Sequence, residues 1–392
     1  MIQVTRTKIT STVYKYGGRK YKCSVEEQQQ RVKEEKFLTK LRKLIYPILE
    51  IPTRKNIVYA NSEILDLVAK AGLRHSFIED MSNSVNRKAR GKVVPDGDTV
   101  YYRLKKLNKD RWTIKLKAAN KKLLLLARKR RMIPSRPSLS IDKTSIMFYG
   151  DKESEGVRGT KPKKGSCRAY EYVTGCLSDC DWHLTLDGVP LEKETKLWEG
   201  LEDVLKIALK YVNNRQCTLY VDREFYCTPV IDVINKYKQK YLMPAKKTAP
   251  VKELIKTHKI PCVLPYTMKG KYGTADTTLV LVEDDEGDVK AFITNLNVDA
   301  SQAKTLFDKY QNRWTVDTSY RQVGEVRMNS KTLDFAVRWF LFFFSLLLLN
   351  IYWLFNNFIK DYDHVTLITS TEMFIEVTGA LFEIRFVNAG DG

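Results

Sequence analysis

Three aspartates carry the chemistry this chain could do. Asp142, Asp222 and Asp317 each end, or face out of, a segment whose pattern accounts for an acid at that place. Carboxylates gathered from three such segments can hold divalent metal. They suit hard cations such as Mg2+ or Mn2+, whereas thiolates would select softer ions. One aspartate at a strand end is ordinarily a turn former or a helix cap. The reading therefore rests on the three contexts jointly.

Each context is local and physical. Asp142 lies in the β-rich run from Leu139 to Tyr149, after the breaker Pro137, with Ser140, Asp142 and Thr144 on one face at period two. Asp222 closes the apolar run from Cys217 to Val221 and is soon followed by Thr228 and Pro229, a hydroxyl cap and a first-turn proline that open a helix. Asp317 belongs to a helical stretch that starts near Asp299, where Asp299 and Gln302 have capping-box spacing. Within that stretch Tyr310, Arg313, Asp317 and Arg321 recur at three- and four-residue steps and share one face.

The segment holding Tyr310, Arg313 and Asp317 resembles the Tyr-Arg-Glu-Lys signature of the cut-and-paste DDE transposases of the insertion-sequence-four group, bacterial and archaeal. Asp142 and Thr144, with Tyr149 and Gly150 just beyond, look like that group's first catalytic segment, and Asp222, Arg223, Glu224, Phe225 and Tyr226 like the second. The resemblance covers about residues 135–335. It implies an α/β fold, an RNase H-like mixed sheet flanked by helices, with a β-rich insertion and a helical N-terminal DNA-binding region. It also implies that Asp142, Asp222 and Asp317 are catalytic and hold Mg2+ or Mn2+, two ions in number. Double-stranded DNA, both element ends and target, would be the partner, with a homodimer on paired ends. The reaction implied is metal-dependent cleavage followed by strand transfer.

Three positions depart from the group's pattern. Aspartate stands at 317 in place of glutamate, Glu224 occupies a place where glycine is common, and Gly324 falls where the signature lysine would be. Arg321, Arg327 and Lys331 are candidates for the missing phosphate contact, and Glu325 competes with Asp317 for the third acid. Tyr310 and Arg313 are placed to meet a DNA phosphate, or to serve core packing and an ion pair. A catalytically inactive, transposase-derived DNA-binding protein and a nuclease without strand transfer are the alternatives.

Composition agrees with a polyanionic partner. The 392 residues carry a net charge of +21, and neutralising phosphates with lysine and arginine releases counterions. From Arg103 to Arg131 cations interleave with Trp112 and are opposed only by Asp110, ending in Arg128, Lys129, Arg130 and Arg131 beside the first acidic strand. This cluster reads as a phosphate-backbone contact. Seven cysteines at irregular spacing give no disulfide framework, and the chain opens without a secretory signal, which points to a cytoplasmic, nucleoid-associated protein. Cys176, Cys180 and His183 are near enough for a zinc site but read as structural.

Three regions follow. Residues 1–132 form a basic, mainly helical part, 133–335 the catalytic domain with its β-rich insertion at about 250–298, and 336–392 a helical region packed on the core. Residues 150–166, rich in glycine and lysine, read as a mobile loop. The apolar run from Trp339 to Phe355, interrupted by Asn350, falls just short of the ~20 residues of a membrane span and reads as a buried core helix, with no membrane partner.

Overall fold

The computed structural model describes residues 12–16, 19–23, 25–88, 94–178, 180, 182–213, 215–312 and 326–360. A basic ribbon of β1 (Thr12–Tyr16) and β2 (Arg19–Cys23) leads into the helices α1 (Val25–Ile45), α2 (Asn61–Leu73), α3 (Ile78–Lys88), α4 (Gly97–Leu104) and α5 (Lys109–Lys129). Caps set where these helices start. The Glu63 carboxylate accepts the Ala60 N–H at 2.6 Å, while Asn61 donates to the Ile51 carbonyl at 3.0 Å. Helix α4 is capped by Asp96, which accepts the Thr99 N–H at 2.7 Å. The apolar positions Trp112, Leu116, Ala119, Leu123 and Ala127 recur at helical steps and bury one side of α5.

The remaining elements build a nine-stranded sheet with helices about it. In chain order they are β3 (Ser138–Met147), β4 (Arg158–Lys163), β5 (Ser166–Ser178), β6 (Thr185–Leu191), α6 (Leu197–Tyr211), β7 (Thr218–Val221), α7 (Thr228–Lys236), β8 (Lys240–Pro244), α8 (Ala249–Thr257), β9 (Cys262–Gly270), β10 (Gly273–Glu283), β11 (Val289–Thr294), α9 (Ala303–Asn312) and α10 (Phe335–Lys360). The spatial order β6-β5-β3-β7-β8, with β5 antiparallel and β7 parallel to β3, is that of an RNase H-like core.

One segment differs from its sequence reading, and the expected β-rich insertion extends the sheet. Part of the expected loop at 150–166 is strand: β4 pairs with the first half of β5 while β6 pairs with the second half, so the long strand serves both. The turn between β4 and β5 sits at Lys164 and Gly165, both with positive φ, of 50° and 79°. The β-rich stretch at 250–298 does not stand apart from the sheet. Antiparallel pairing of β11 with β8 continues the sheet through β10 to β9.

Packing on the sheet is close. A Cβ on Gly175 of β5 would lie 2.7 Å from Val204 of α6, so only glycine lets helix and strand approach this far. Helix α10 is long and apolar enough to cross a membrane by length and composition, and 89% of its most apolar window is buried inside the protein. Its aromatics explain the burial: Phe342 stacks on Tyr172 of β5 at 3.9 Å between ring centres, Phe340 meets Trp112 of α5 at 4.2 Å, and Phe358 stacks on Phe37 of α1 at 4.2 Å. Asn350, the one amide inside the run, accepts the Thr185 N–H at 2.8 Å and donates to Asn120 of α5 at 2.7 Å. Nearby, Lys117 of α5 meets the buried Asp187 of β6 at 2.7 Å.

Candidate active site

Strand register brings the first two acids together. The parallel ladder of β3 and β7 ends at Ile141 opposite Val221, so the next residue on each chain is Asp142 and Asp222. Neighbouring strands lie ~4.8 Å apart, which puts the two carboxylates in reach of shared ligands. Strand β3 runs on to Met147 beyond the end of β7, paired on its other side with β5. A cleft of about 870 Å³ opens there and contains Asp142, Asp222, Glu224 and Tyr310 among its walls. It lies past the carboxyl ends of parallel strands where the chain path changes direction, the place in an open α/β sheet where ligands bind.

Local chemistry fixes both aspartates. Asp142 accepts the N–H of Lys143 at 2.7 Å, and Asp222 caps a 3-10 turn over Arg223–Phe225, accepting the Glu224 N–H at 3.3 Å. The helix after the second acid starts as expected at Thr228 with Pro229 in its first turn, although Cys227 and not the threonine hydroxyl occupies the cap position.

Between the two strands runs a charged chain that sequence reasoning missed. Lys143 Nζ lies 2.7 Å from Glu171 of β5 and 3.1 Å from Glu224 of the turn after Asp222. Glu171, itself buried, also receives Arg158 of β4 at 3.3 Å and the Ser145 hydroxyl at 3.2 Å. Burial alone would lower the pKa of Lys143, but the bonds and charge of Glu171 and Glu224 outweigh it and raise the pKa above the usual lysine value. Glu224, odd as a replacement for glycine, thus has a partner. Nothing local announces this pairing, because it needs the β3–β5 register that sets Ser145 opposite Glu171.

Tyr310 is buried on α9, where its hydroxyl donates to the Val221 carbonyl at 3.3 Å and its ring meets Phe292 edge-on at 5.0 Å. It ties the helix to the strand end that carries Asp222. Arg313, Asp317, Arg321, Gly324 and Glu325 lie outside the described residues.

The basic cluster after α5 is not brought to the cleft. Arg128 bonds the Asn213 side chain, and Arg130 donates to the Asn357 side chain at 2.6 Å beneath the rings of Phe37 and Phe358. Lys129, the last residue of α5, is exposed, and Arg131, just past the cap, has a positive φ of 58°. The cluster precedes the start of β3, whereas Asp142 lies further along that strand. The cleft has cations of its own: Lys161 and Lys163 on β4, Arg223, and Lys247 after β8, all exposed.

Oxygen donors at Asp142 and Asp222 fit a hard divalent cation. Among the described residues a second acidic group, Asp284, Glu286 and Asp288, gathers in the β10–β11 turn. Lys290 meets Asp284 there at 2.7 Å and lowers its pKa, and the Asp288 N–H bonds the same carboxylate at 2.7 Å, so turn formation accounts for it. Cys176 and Cys180 instead direct their thiols to the carbonyls of Ser140 and Trp182, and His183 packs against Trp353.

Comparison with known proteins gives two findings. Residues 197–351, from α6 into α10, match the family model described as a transposase DDE domain. The fold is similar to that of a piggyBac transposase, solved by cryo-electron microscopy as a synaptic complex with hairpin DNA: TM-score 0.57, 14% identity, over 90% of this chain and 82% of that one. No curated protein matches. The structural likeness shows the fold, and the family match spans 155 of the 392 residues.

Proposed function

We propose that this chain binds the terminal repeats of its own element, cuts the DNA there and joins the freed 3′-hydroxyls to a target, as a cut-and-paste transposase of the insertion-sequence-four type. The observation that carries the reading is the adjacency of Asp142 and Asp222, each one residue past the last β3–β7 ladder pair and both lining a cleft of about 870 Å³. Asp317, seven residues after Tyr310 in the sequence, is the third member of the set in this reading.

The three carboxylates would hold Mg2+ or Mn2+, two ions supplying a polarised attacking oxygen and charge stabilisation at the leaving oxygen. The protein's own part is to hold these acids at fixed spacing and to receive the phosphodiester backbone. Lys161, Lys163, Arg223 and Lys247 suit the second task, being exposed cations on the walls of the same cleft. Assembly as a homodimer on paired ends, in the cytoplasm and without a membrane, belongs to the same reading.

The test uses the full chain with DNA carrying the element ends. Asp142→Asn and Asp222→Asn are expected to stay folded and bind this DNA while losing metal-dependent nicking and joining. Cleavage that survives either change in a folded protein would overturn the assignment. A binding protein without cleavage is the second reading, motivated by Gly324 in place of the signature lysine; unmodified chain that binds the ends but never nicks them in Mg2+ or Mn2+ would establish it.

A further inference from the structure

The pair of acids is divided between two unlike pieces of chain. Asp142 sits within a ten-residue strand paired to β5, but Asp222 follows a four-residue strand and heads a short 3-10 turn. Backbone pairing between β3 and β7 stops one residue short of both acids. Something other than the ladder must hold the turn of Asp222 against the strand of Asp142. The described residues contain one side-chain bridge suited to it: Lys143, next to Asp142, reaches Glu224, two residues after Asp222, at 3.1 Å and is anchored from behind by Glu171 at 2.7 Å.

We propose that Lys143 and Glu224 form a positioning clamp that sets the separation of Asp142 and Asp222, and with it the affinity of this site for a divalent cation. The proposal rests on the metal-binding reading given above. Glu171 is the fixed post of the clamp, since it is buried and retains Arg158 at 3.3 Å and Ser145 at 3.2 Å whatever happens to Lys143. Removing the lysine therefore strands no buried carboxylate, and the fold is expected to survive. Glu224 is the outer jaw, half exposed and bridged to the strand through Lys143.

The sign of the effect separates positioning from simple charge. A lysine acting only as a fixed positive charge repels the cation, so its removal would tighten metal binding. A lysine that holds the acids at chelating distance does the opposite, because groups that orient metal ligands typically contribute about 10–100-fold in affinity.

The experiment is a Mn2+ titration of the full-length protein, reading free Mn2+ by electron paramagnetic resonance, with melting curves alongside. Lys143→Met is expected to raise the half-saturating Mn2+ concentration by about tenfold with the melting midpoint little changed. Lys143→Arg, which can still bridge two carboxylates, should restore most of the affinity. Glu224→Gln weakens binding through lost charge as well as lost positioning, so the double variant decides. If the two residues act as one clamp, the double variant binds no more weakly than the poorer single. Unchanged or tighter binding by Lys143→Met, or losses that multiply in the double variant, would overturn the clamp. Asp142→Asn is the control: should it bind Mn2+ like the unmodified chain, the metal-site reading has failed, and not the clamp alone.

Discussion

Strand β3 joins two regions that treat charge in opposite ways. Before its start, the basic end of α5 has arginines engaged by the fold: Arg130 lies under Phe37 and Phe358 and bonds Asn357, and the exposed Arg128 bonds Asn213. Deeper in the same packing, Lys117 faces Asp187, and Asn120 and Asn350 close a hydrogen-bonded link with Thr185. Further along β3, lysines and arginine stand exposed on the cleft walls while Lys143 holds a turn in place. A run of cations thus says little about partners until it is known which guanidinium and ammonium groups the fold itself engages. Polar groups removed from water need internal partners, and the closed region supplies them; the open region leaves cations for a ligand.

This contrast can be broken or sharpened experimentally, beginning with the largest effect. In the open region, Asp142→Asn or Asp222→Asn should lower strand cleavage on the order of 10³-fold or more, the scale of losing a group that stabilises transition-state charge, measured as single-turnover nicking. In the closed region, burial pushes the Asp187 carboxyl up to about 6 despite Lys117. The folded protein then binds a proton between roughly pH 4 and 6 that the unfolded chain has already released. Stability from this group is complete below pH 4 and is lost as pH rises through about 6, by about 3 kcal/mol. Denaturant melts across that window should show the decline, and Asp187→Asn should flatten it.

Next in size is Asn350→Ala, which leaves the buried Thr185 N–H without its acceptor and should cost about 1–3 kcal/mol in the same melts. Its effect on Mn2+ binding should be nil, since it belongs to the closed region. The smallest effect tests the contrast most directly. Lys161→Ala with Lys163→Ala should weaken DNA binding and reduce the slope of log affinity against log salt by about two, near 0.9 for each lost phosphate contact. Arg128→Ala with Arg130→Ala should leave that slope unchanged and lower the melting point. The reverse pattern would show that the end of α5, and not the cleft wall, meets the DNA.

Much of the frame was legible from periodicity. The strand run around Asp142, the short strand closed by Asp222, the helix opened at Thr228 and Pro229 and the capping box of Asp299 and Gln302 all correspond to observed elements. Local patterns succeed where a residue's neighbours along the chain are also its neighbours in space. They fail where pairing partners are remote. The loop expected at 150–166 gains a strand because β5 offers an edge to β4. The aromatic run of α10 had the composition of a membrane span, and its burial against α5, β5 and α1 depends on surfaces that only the folded chain assembles.

The sequence by itself determined much of the inventory: the strand run that carries Asp142, the short strand that Asp222 closes, and a large excess of cations. Tertiary structure decided the use of that inventory. Register between β3 and β7 put two distant acids side by side, register between β3 and β5 let Lys143 bridge Glu171 and Glu224, and packing of α10 took up Arg130. The reason is physical: backbone preference is set by near neighbours, whereas the pairing of charges depends on distances across strands and helices, which exist only once the chain has closed on itself.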